Sequence, residues 1–457
     1  MMRCAISYKG AAKNKTCQFN VTEVELIEFD NKHWCLFHLP MTNAENNFSV
    51  KSIWQADQLQ YFKKKIIALL LNNFDNFKFV VFPKNFTFPL NNYSKKLFFK
   101  DSEFWGETNF SNKTFCKRVV FDNAIFFGEA LFSQSFFKKK VKFIKSHFKK
   151  KSYFFNTTFE RGIDFSNAEF EDDSSFHGTM IRCKQKQDSI YFDRIKFKKN
   201  VTFRNASFGS HTSFRDSRFY GTTNFSVSHS KTGENVYLNS VDFYGCSFNT
   251  LNFTNRQFLE KTNFENCIFN SAPEFHGCTI HQDSIFPDKI AFKDTTSKNA
   301  ANAYRTLNLA MANLRARPEE GMFYMLEQKS RRKTMPWFEK FVSYCYDFFA
   351  NYGQSISRPL VGLIMVILLF ALCYACLADI NHVYDDARWK ILMESISFSF
   401  QQAIYISKVY SPSKDFFLNA LVEKCPWVQN IALVQTLISY IFGILLVFAV
   451  RWKFKRE

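Results

Sequence analysis

Three cysteines and a histidine near the start of the chain have the residue types of a metal-binding site. They are Cys4, Cys17, Cys35 and His38, and the last two form a Cys-x-x-His motif. Three thiolates and one imidazole suit a tetrahedral zinc ion, and a metal is favoured over a disulfide where thiols stay reduced. Because the gaps between the ligands are long, ordinary buried or free cysteines are the alternative. A closed site with four protein ligands would be structural, since no position is left for a substrate.

A phenylalanine recurs at alternating steps of five and six residues through the middle of the chain. The unbroken part of the series comprises Phe104, Phe110, Phe115, Phe121, Phe126, Phe132, Phe137, Phe143, Phe148, Phe154, Phe159, Phe165, Phe170 and Phe176. In an α-helix these steps would place alternate rings about 140° apart, and in a flat strand an odd step changes the face. A chain that turns a corner at each step keeps every ring inside. Four sides make a coil of about 22 residues, stacked on the next at about 4.8 Å.

The residue two positions before each phenylalanine supports a narrow interior. It is small before many rings that end a five-residue step, as at Ala124, Ser135 and Thr157. It is larger or β-branched before many rings that end a six-residue step, as at Val119 and Val141. Asn, Asp, Ser and Gly crowd the positions between, which is typical of turns.

Stretches such as Asp164-Phe-Ser-Asn-Ala-Glu-Phe170 resemble the pentapeptide-repeat proteins, whose units have a central Phe or Leu and a small residue two before it. The resemblance covers about residues 77 to 292 and implies a mainly β fold, a right-handed quadrilateral β-helix of about ten coils. The chain departs from the regular unit by one extra residue in alternate steps. Two interruptions, Arg182 to Tyr191 and Ser226 to Leu238, are expected to leave the coil as loops. The Cys-rich start also resembles members of this group.

The charge of the chain excludes one function of such proteins. Some of them protect gyrase by imitating the acidic surface of DNA, and a chain with a net charge of +19 cannot imitate a polyanion. The lysine runs at residues 138–140 and 149–151 either contact nucleic acid or anionic lipid, or form a solvated surface. Because the aromatic rings belong to the core and not to a stacking surface, we do not expect nucleic acid as a partner.

Two uncharged stretches near the C-terminus are long enough to cross a bilayer. They run from Pro359 to Ala378 and from Ile431 to Val450, and buried core helices are the alternative. Basic residues precede the first stretch and follow the second, so both termini are expected in the cytoplasm with a loop of about 50 residues outside. We expect the protein in a bacterial inner membrane.

Helices are predicted between the coil and the first stretch. Residues 300–316 have apolar residues at helical spacing, and Pro318 can open a second helix, so that a helical pair caps the last coil. Pro336 to Tyr352 is rich in aromatic residues and predicts an amphipathic helix at a membrane interface.

Residues 300 to 457 resemble a tail of membrane-bound bacterial pentapeptide-repeat proteins, in which two spans surround a pore-loop-like segment, as in two-helix potassium channels. Potassium selectivity uses a glycine-containing loop, and the segment from Ser397 to Pro412 has no glycine. Lys408 would even place a cation in the path. Gln435, Ser439 and Tyr440 in the second span either pack helices together or line a path.

The sequence therefore predicts four regions: 1–65 with the metal site, 66–295 with the β-helix, 296–355 with the helical connector, and 356–457 with two spans. It contains no phosphate-binding glycine loop, His-Glu-x-x-His or Gly-x-Ser-x-Gly motif. We expect a non-enzymatic scaffold or sensor anchored in the membrane, with an unknown protein partner. The alternative is an oligomeric ion channel or pore-forming effector gated by the cytoplasmic β-helix.

Overall fold

A computed structural model describes residues 4, 17–19, 25–84, 86–182, 189–228, 236–380, 388–403, 421, 423 and 425–454. The chain forms two compact units, Met1–Ser330 and Arg331–Glu457. The first unit contains the β-structure and the second contains the apolar helices.

The first unit is a four-sided β-solenoid, as predicted. Each strand pairs in parallel with the strand one coil further on, so that Phe104 aligns with Phe82 on one side and with Phe126 on the other. Two of the sides have eight strands each, which makes about eight turns and not the ten expected. The difference arises at the ends, where coils pair through single bridges such as Thr87 with Asn109.

Most strands have only two residues, because the chain turns a corner after almost every strand. The first side contains Val81–Phe82, Glu103–Phe104, Ile125–Phe126, His147–Phe148, Glu169–Phe170, Lys196–Phe197 and Ile268–Phe269. The second contains Thr108–Asn109, Ala130–Leu131, Ser152–Tyr153, Ser174–Ser175 and Val201–Thr202. Arg218–Asn224 and Ser247–Asn252 run through the corner between these sides. The third contains Asn92–Tyr93, Thr114–Phe115, Phe136–Phe137, Thr158–Phe159, Met180–Ile181, Ser207–Phe208, Tyr237–Leu238 and Gln257–Phe258. The fourth contains Leu97–Phe98, Val119–Val120, Val141–Lys142, Ile163–Asp164, Ile190–Tyr191, Thr212–Ser213, Val241–Asp242 and Thr262–Asn263.

Stacked phenylalanine rings fill the interior. All fourteen rings of the unbroken series are at most 1% exposed. Rings in successive coils lie face to face, with centroids 4.7 Å apart for Phe104 and Phe126 and 4.9 Å apart for Phe132 and Phe154. Hydroxyls at the small positions satisfy carbonyls of the coil before, as Thr157 Oγ1 donates to the Phe132 oxygen over 2.7 Å. The interior is therefore a continuous core in which the hydroxyls at these small positions are paired. The buried hydroxyls of Thr223 and Thr262, which precede rings that end a six-residue step, have no hydrogen-bond partner among the described residues.

Both predicted interruptions lengthen a coil without breaking the sheet. Val141 and Ile163 pair across 22 residues, whereas Ile163 and Ile190 pair across 27 and Thr212 and Val241 across 29. The extra residues therefore fall within the two expected loops. Residues 183–188 and 229–235 of those loops lie outside the described part of the chain.

Both ends of the solenoid are covered. At the first coil, an antiparallel pair (Ile27–Phe29 and Lys32–Trp34), a 3-10 turn (Val50–Ile53) and helix α1 (Ala56–Leu71) form a cap. Phe62 of α1 contacts Phe82 and Phe86 there, with centroids 6.1 and 5.5 Å apart. At the last coil, after a 3-10 turn (Lys289–Ala291), helices α2 (Ala300–Asn313) and α3 (Arg317–Arg331) place Phe323 against Phe286 and Phe292. The helical pair thus caps the last coil, as expected.

The second unit is helical. After a 3-10 turn (Arg332–Thr334), it contains α4 (Trp337–Ala350), α5 (Ser357–Ile380), α6 (Arg388–Ala403) and α7 (Val428–Phe454). Two of these helices, α5 and α7, are long and apolar enough to cross a membrane. α6 packs against both of them, with Phe398 and Ile391 buried beside Tyr374 and Val428.

Helix α4 has an unusual distribution of polarity. Its polar side faces inward, where Ser343 and Asp347 contact the Arg332 guanidinium. Its aromatic side faces outward, and Trp337 and Phe348 are 81% and 73% exposed. This outward apolar surface is what the predicted interfacial helix requires.

Candidate functional site

The structure brings the four predicted metal ligands together. Cys35 and His38 lie in the turn after the strand Lys32–Trp34, where the Cys35 carbonyl accepts hydrogen bonds from the backbone N–H groups of His38 and Leu39. Cys4 and Cys17 come from the preceding stretch. The residue after Cys17 ties this stretch to the first coil, because Gln18 Nε2 donates to the Lys78 carbonyl over 2.6 Å.

The distances within this Cys3His cluster fit a tetrahedral ion. His38 Nδ1 lies 3.5, 3.5 and 3.2 Å from the sulfurs of Cys4, Cys17 and Cys35, and the sulfurs of Cys17 and Cys35 are 3.8 Å apart. With ordinary zinc–sulfur and zinc–nitrogen bond lengths, the edges of a tetrahedron are about 3.8 Å between sulfurs and about 3.5 Å between sulfur and nitrogen. All four ligand atoms lie within 4.8 Å of one another. The cluster can therefore hold a metal ion.

The electrostatics of the cluster also favour a cation. Hydrogen bonds from Cys35 and Cys4 hold the pKa of Cys17 well below the usual value of a thiol. The hydrogen bond to Cys17 then raises the pKa of Cys35, because a second thiolate beside the first is unfavourable. The hydrogen bond with Cys17 raises the pKa of Cys4, and the Cys35 backbone N–H, which donates to Cys4 Sγ over 3.2 Å, opposes that shift. Only a bound cation would allow all three sulfurs to ionise together.

A buried lysine next to this cluster could not be found from the sequence. Lys51 is 1% exposed, and its ammonium donates to the carbonyl oxygens of Leu36 and Phe37. These are the two residues between the ligands Cys35 and His38. Nothing in the sequence around Lys51 distinguishes it from a surface lysine.

A second group with ligand-type side chains lies on the outer surface of the solenoid. The side chains of His147, Glu169 and Glu171 are close enough to hold a metal. However, Lys149 and His147 lie 2.8 and 2.7 Å from the same Glu171 oxygen, and Lys198 lies 2.6 Å from Glu169. The hydrogen bond from Lys149 lowers the pKa of Glu171 to about 2. This group is an ion-pair network between coils.

Gln435 joins three helices of the second unit. It is fully buried, its Nε2 donates to the backbone and side-chain oxygens of Ser399 over 2.8 and 2.7 Å, and its Oε1 accepts from Tyr374 over 2.9 Å. Ser399 in turn donates to the Ile367 carbonyl of α5 over 2.6 Å. This chain of hydrogen bonds connects α5, α6 and α7.

Three other residues of this region are predicted to pack helices or to lie in a path. Ser439 is 2% exposed, and its hydroxyl has no hydrogen-bond partner among the described residues. Tyr440 is 65% exposed on the outside of α7. Lys408, the cation predicted in the path, lies outside the described residues.

Comparison with known protein families supports the repeat structure of the solenoid. The model of a family described as pentapeptide repeats (9 copies) matches residues 187–229, which include part of the stacked sheets. No curated protein and no solved structure matches the chain. The repeat match and the four-sided β-solenoid are together consistent with a pentapeptide-repeat protein.

Proposed function

We propose that this protein is a non-enzymatic scaffold or sensor anchored in a membrane by α5 and α7. The observation that carries the proposal is the outward apolar surface of these helices. Leu368, Leu369 and Leu372 of α5 are each about half exposed, and so are Leu433, Leu437 and Ile441 of α7. Side chains of this kind need lipid around them.

The solenoid supports a binding role and not a catalytic one. Stacked rings fill its interior, so its outer surface is the part that offers contacts to another molecule. Stacked repeats of this kind present long, regular surfaces, which suit a macromolecular partner. We expect that partner to be a protein.

The distribution of basic residues supports an inner-membrane location with both termini in the cytoplasm. Arg358 lies in the first turn of α5, and Arg451 and Lys453 lie in the last turn of α7. Basic residues on both outer flanks favour retention of both ends on the cytoplasmic side.

The anchor can be tested by alkaline extraction of membranes from cells that produce the full chain. The control is a chain that ends at Thr334, which keeps the solenoid and both caps but lacks α4 to α7. We expect the full chain to stay in the membrane pellet and the control to be soluble. Release of the full chain into the supernatant would disprove the anchor.

One observation favours a second function, an oligomeric channel or pore. Helix α6 lies against both α5 and α7, and Gln435, Ser399 and Gln402 form a polar layer between them. Reconstituted liposomes test this function, because ion flux from the full chain and none from Gln435→Leu would support a channel. Absence of flux from the full chain at all potentials, with a correctly folded sample, would leave the scaffold.

We further propose that the Cys3His cluster binds structural zinc. The fit of its edges to a tetrahedron supports this proposal. We expect one zinc per chain by elemental analysis of the purified protein, and none in Cys35→Ser. A purified wild-type protein that takes up no zinc from a reducing buffer would contradict the proposal.

A further inference from the structure

The 3-10 turn Val50–Ile53 reverses the usual distribution of apolar and charged residues. It exposes Val50 and Ile53, at 53% and 71%, and buries Lys51, at 1%. Ser49 caps the turn, because its hydroxyl accepts from the Lys51 backbone N–H over 3.3 Å. A lysine is almost never fully buried without a compensating charge, so this inversion requires a reason.

Among the described residues, the Lys51 ammonium has no carboxylate in direct contact, although the charge of Glu103 acts on it from a greater distance. Nζ donates to the carbonyl oxygens of Leu36 over 2.8 Å and of Phe37 over 3.4 Å. The rings of Trp54 and Phe62 enclose it, with centroids 5.2 and 5.0 Å away. Among the described residues, no carboxylate forms a salt bridge with it. Burial lowers the pKa of Lys51 to about 7, and the charges of Cys35 and of Glu103 oppose that shift.

The neighbouring Cys3His cluster can supply the missing negative charge. A divalent ion with three thiolates and a neutral imidazole has one net negative charge. The Lys51 ammonium binds the two residues that lie between two of the ligands, Cys35 and His38. An ammonium at this position balances the net negative charge of the metal centre without occupying a coordination position.

We propose that Lys51 is the built-in counter-charge of the Cys3His metal centre and positions the turn that carries Cys35 and His38. This inference rests on the proposed zinc site. Residues that contact the surroundings of a metal in this way commonly change its affinity by about 10- to 100-fold when replaced.

The same turn connects the metal centre to the solenoid. The Phe37 carbonyl accepts from the backbone N–H of Val81, in the first strand of the first side, over 2.9 Å. It also accepts from Lys51. One backbone oxygen therefore joins the metal-binding turn, the buried lysine and the edge of the first coil.

The first experiment measures zinc affinity of the full chain in detergent by competition with a chromogenic chelator. The variants are Lys51→Met, which keeps the length of the side chain but removes its charge, and Lys63→Met as a control. Lys63 is an exposed lysine on α1. We expect zinc affinity to fall about 10- to 100-fold in Lys51→Met and to stay unchanged in Lys63→Met.

A second experiment separates charge from packing. Cys4→His converts the centre to two thiolates and two imidazoles, which have no net charge with a divalent ion. In that background, Lys51→Met should change zinc affinity less than threefold, because there is no longer a charge to balance. The same loss in both backgrounds would show that Lys51 acts through packing alone and would overturn the proposal. If Cys4→His does not bind zinc, Cys17→His makes the same change of charge.

Thermal unfolding provides a readout for variants that fold poorly. Lys51→Met should lower the melting temperature more in zinc than in excess chelator, since the counter-charge acts only on the loaded centre. Equal shifts in both conditions would overturn the inference. Failure of the wild type to bind zinc would instead disprove the zinc site itself, so the two failures are distinguishable.

Discussion

Arg256 is a charged side chain in the core of the solenoid, at a position where other coils have a small residue. It is fully buried, and its guanidinium donates to the carbonyl oxygens of Phe225, Ala206 and Phe203 over 2.7, 2.6 and 3.2 Å. In the coil before, the corresponding residue is Ser228, which bonds Asn205 where the chain enters the second loop. Arg256 therefore supplies the hydrogen bonds of two coils.

Replacing Arg256 with alanine should destabilise the solenoid. The change removes the side-chain donor from three carbonyls, of which only that of Phe203 keeps a backbone donor among the described residues, the Ala206 N–H. It also opens a cavity in a packed core, so we expect a loss of about 3–5 kcal/mol. Denaturant unfolding followed by near-UV circular dichroism measures it, with Arg218→Ala, at an exposed position, as the control. Equal unfolding midpoints for both variants would contradict this role.

Glu171 makes the stability of the coil depend on acid pH. The hydrogen bond from Lys149 lowers the pKa of Glu171 from 4.5 to about 2. Because the pKa is lower in the folded protein, the stabilisation is complete above about pH 4.5 and disappears as the pH falls towards 2. Glu171→Gln should flatten this part of the stability curve, whereas Glu265→Gln, at an exposed site, should not. A curve of unchanged slope in Glu171→Gln would refute the assignment.

At the scale of the element, two of the four corners in each coil share one backbone geometry. The second residue after the ring has positive φ, as in Asn112, Asn123, Gln134 and Lys145 with values of 56° to 58°. This geometry favours asparagine and glycine, which explains their frequency at these corners. The corner falls within the five-residue step, and the six-residue step passes through the other corners.

Lys145 lies at one of these corners with positive φ, which is unfavourable for a residue with a Cβ, so Lys145→Gly should stabilise the protein. A side chain in this region costs about 1–2 kcal/mol, and part of that gain is offset by the entropy of glycine in the unfolded chain. We expect a net gain of about 0.5–1 kcal/mol in denaturant unfolding, and little change in Lys145→Ala, which keeps the Cβ. A loss of stability in Lys145→Gly would show that the corner is not strained.

At the scale of the whole molecule, the two units depend on different surroundings. The first unit is a repeat stack, in which each coil contacts its neighbours and each end must be covered. The turn that carries Cys35 and His38 belongs to the cover of the first coil, through the Phe37 carbonyl and Val81. The second unit has its own packing, built on Tyr374, Phe398 and Gln435.

If the proposed zinc is bound, removing it should therefore destabilise the first unit selectively. A chelator should lower the melting transition of the solenoid and promote self-association through the uncovered coil edge, while the transition of the helical unit stays in place. Calorimetry and light scattering of the full chain measure both effects. Cys35→Ser should behave like the chelated protein, and Cys116→Ser, outside the cluster, like the wild type. Parallel shifts of both transitions on chelation would contradict this assignment.

The period of the phenylalanines determined the solenoid, because each coil repeats one local conformation and buries one ring per side. The two helices able to cross a membrane followed from length and composition, which are also local properties. The four candidate metal ligands could be named from their residue types, and the Cys35 to His38 spacing was the strongest part of that signal. The number of turns was overestimated, because a periodic ring does not show whether its neighbours form a strand or a single bridge.

Only the tertiary structure decided which residues support these features. Lys51 lies 13 residues beyond His38 in the chain and Gln435 lies 36 beyond Ser399, and no local pattern encodes these contacts. Arg256 occupies an inward position that the period could have revealed, but its partners lie one and two coils away. Local conformation repeats and can be read from a single coil, whereas the burial of a charge depends on what distant segments place around it.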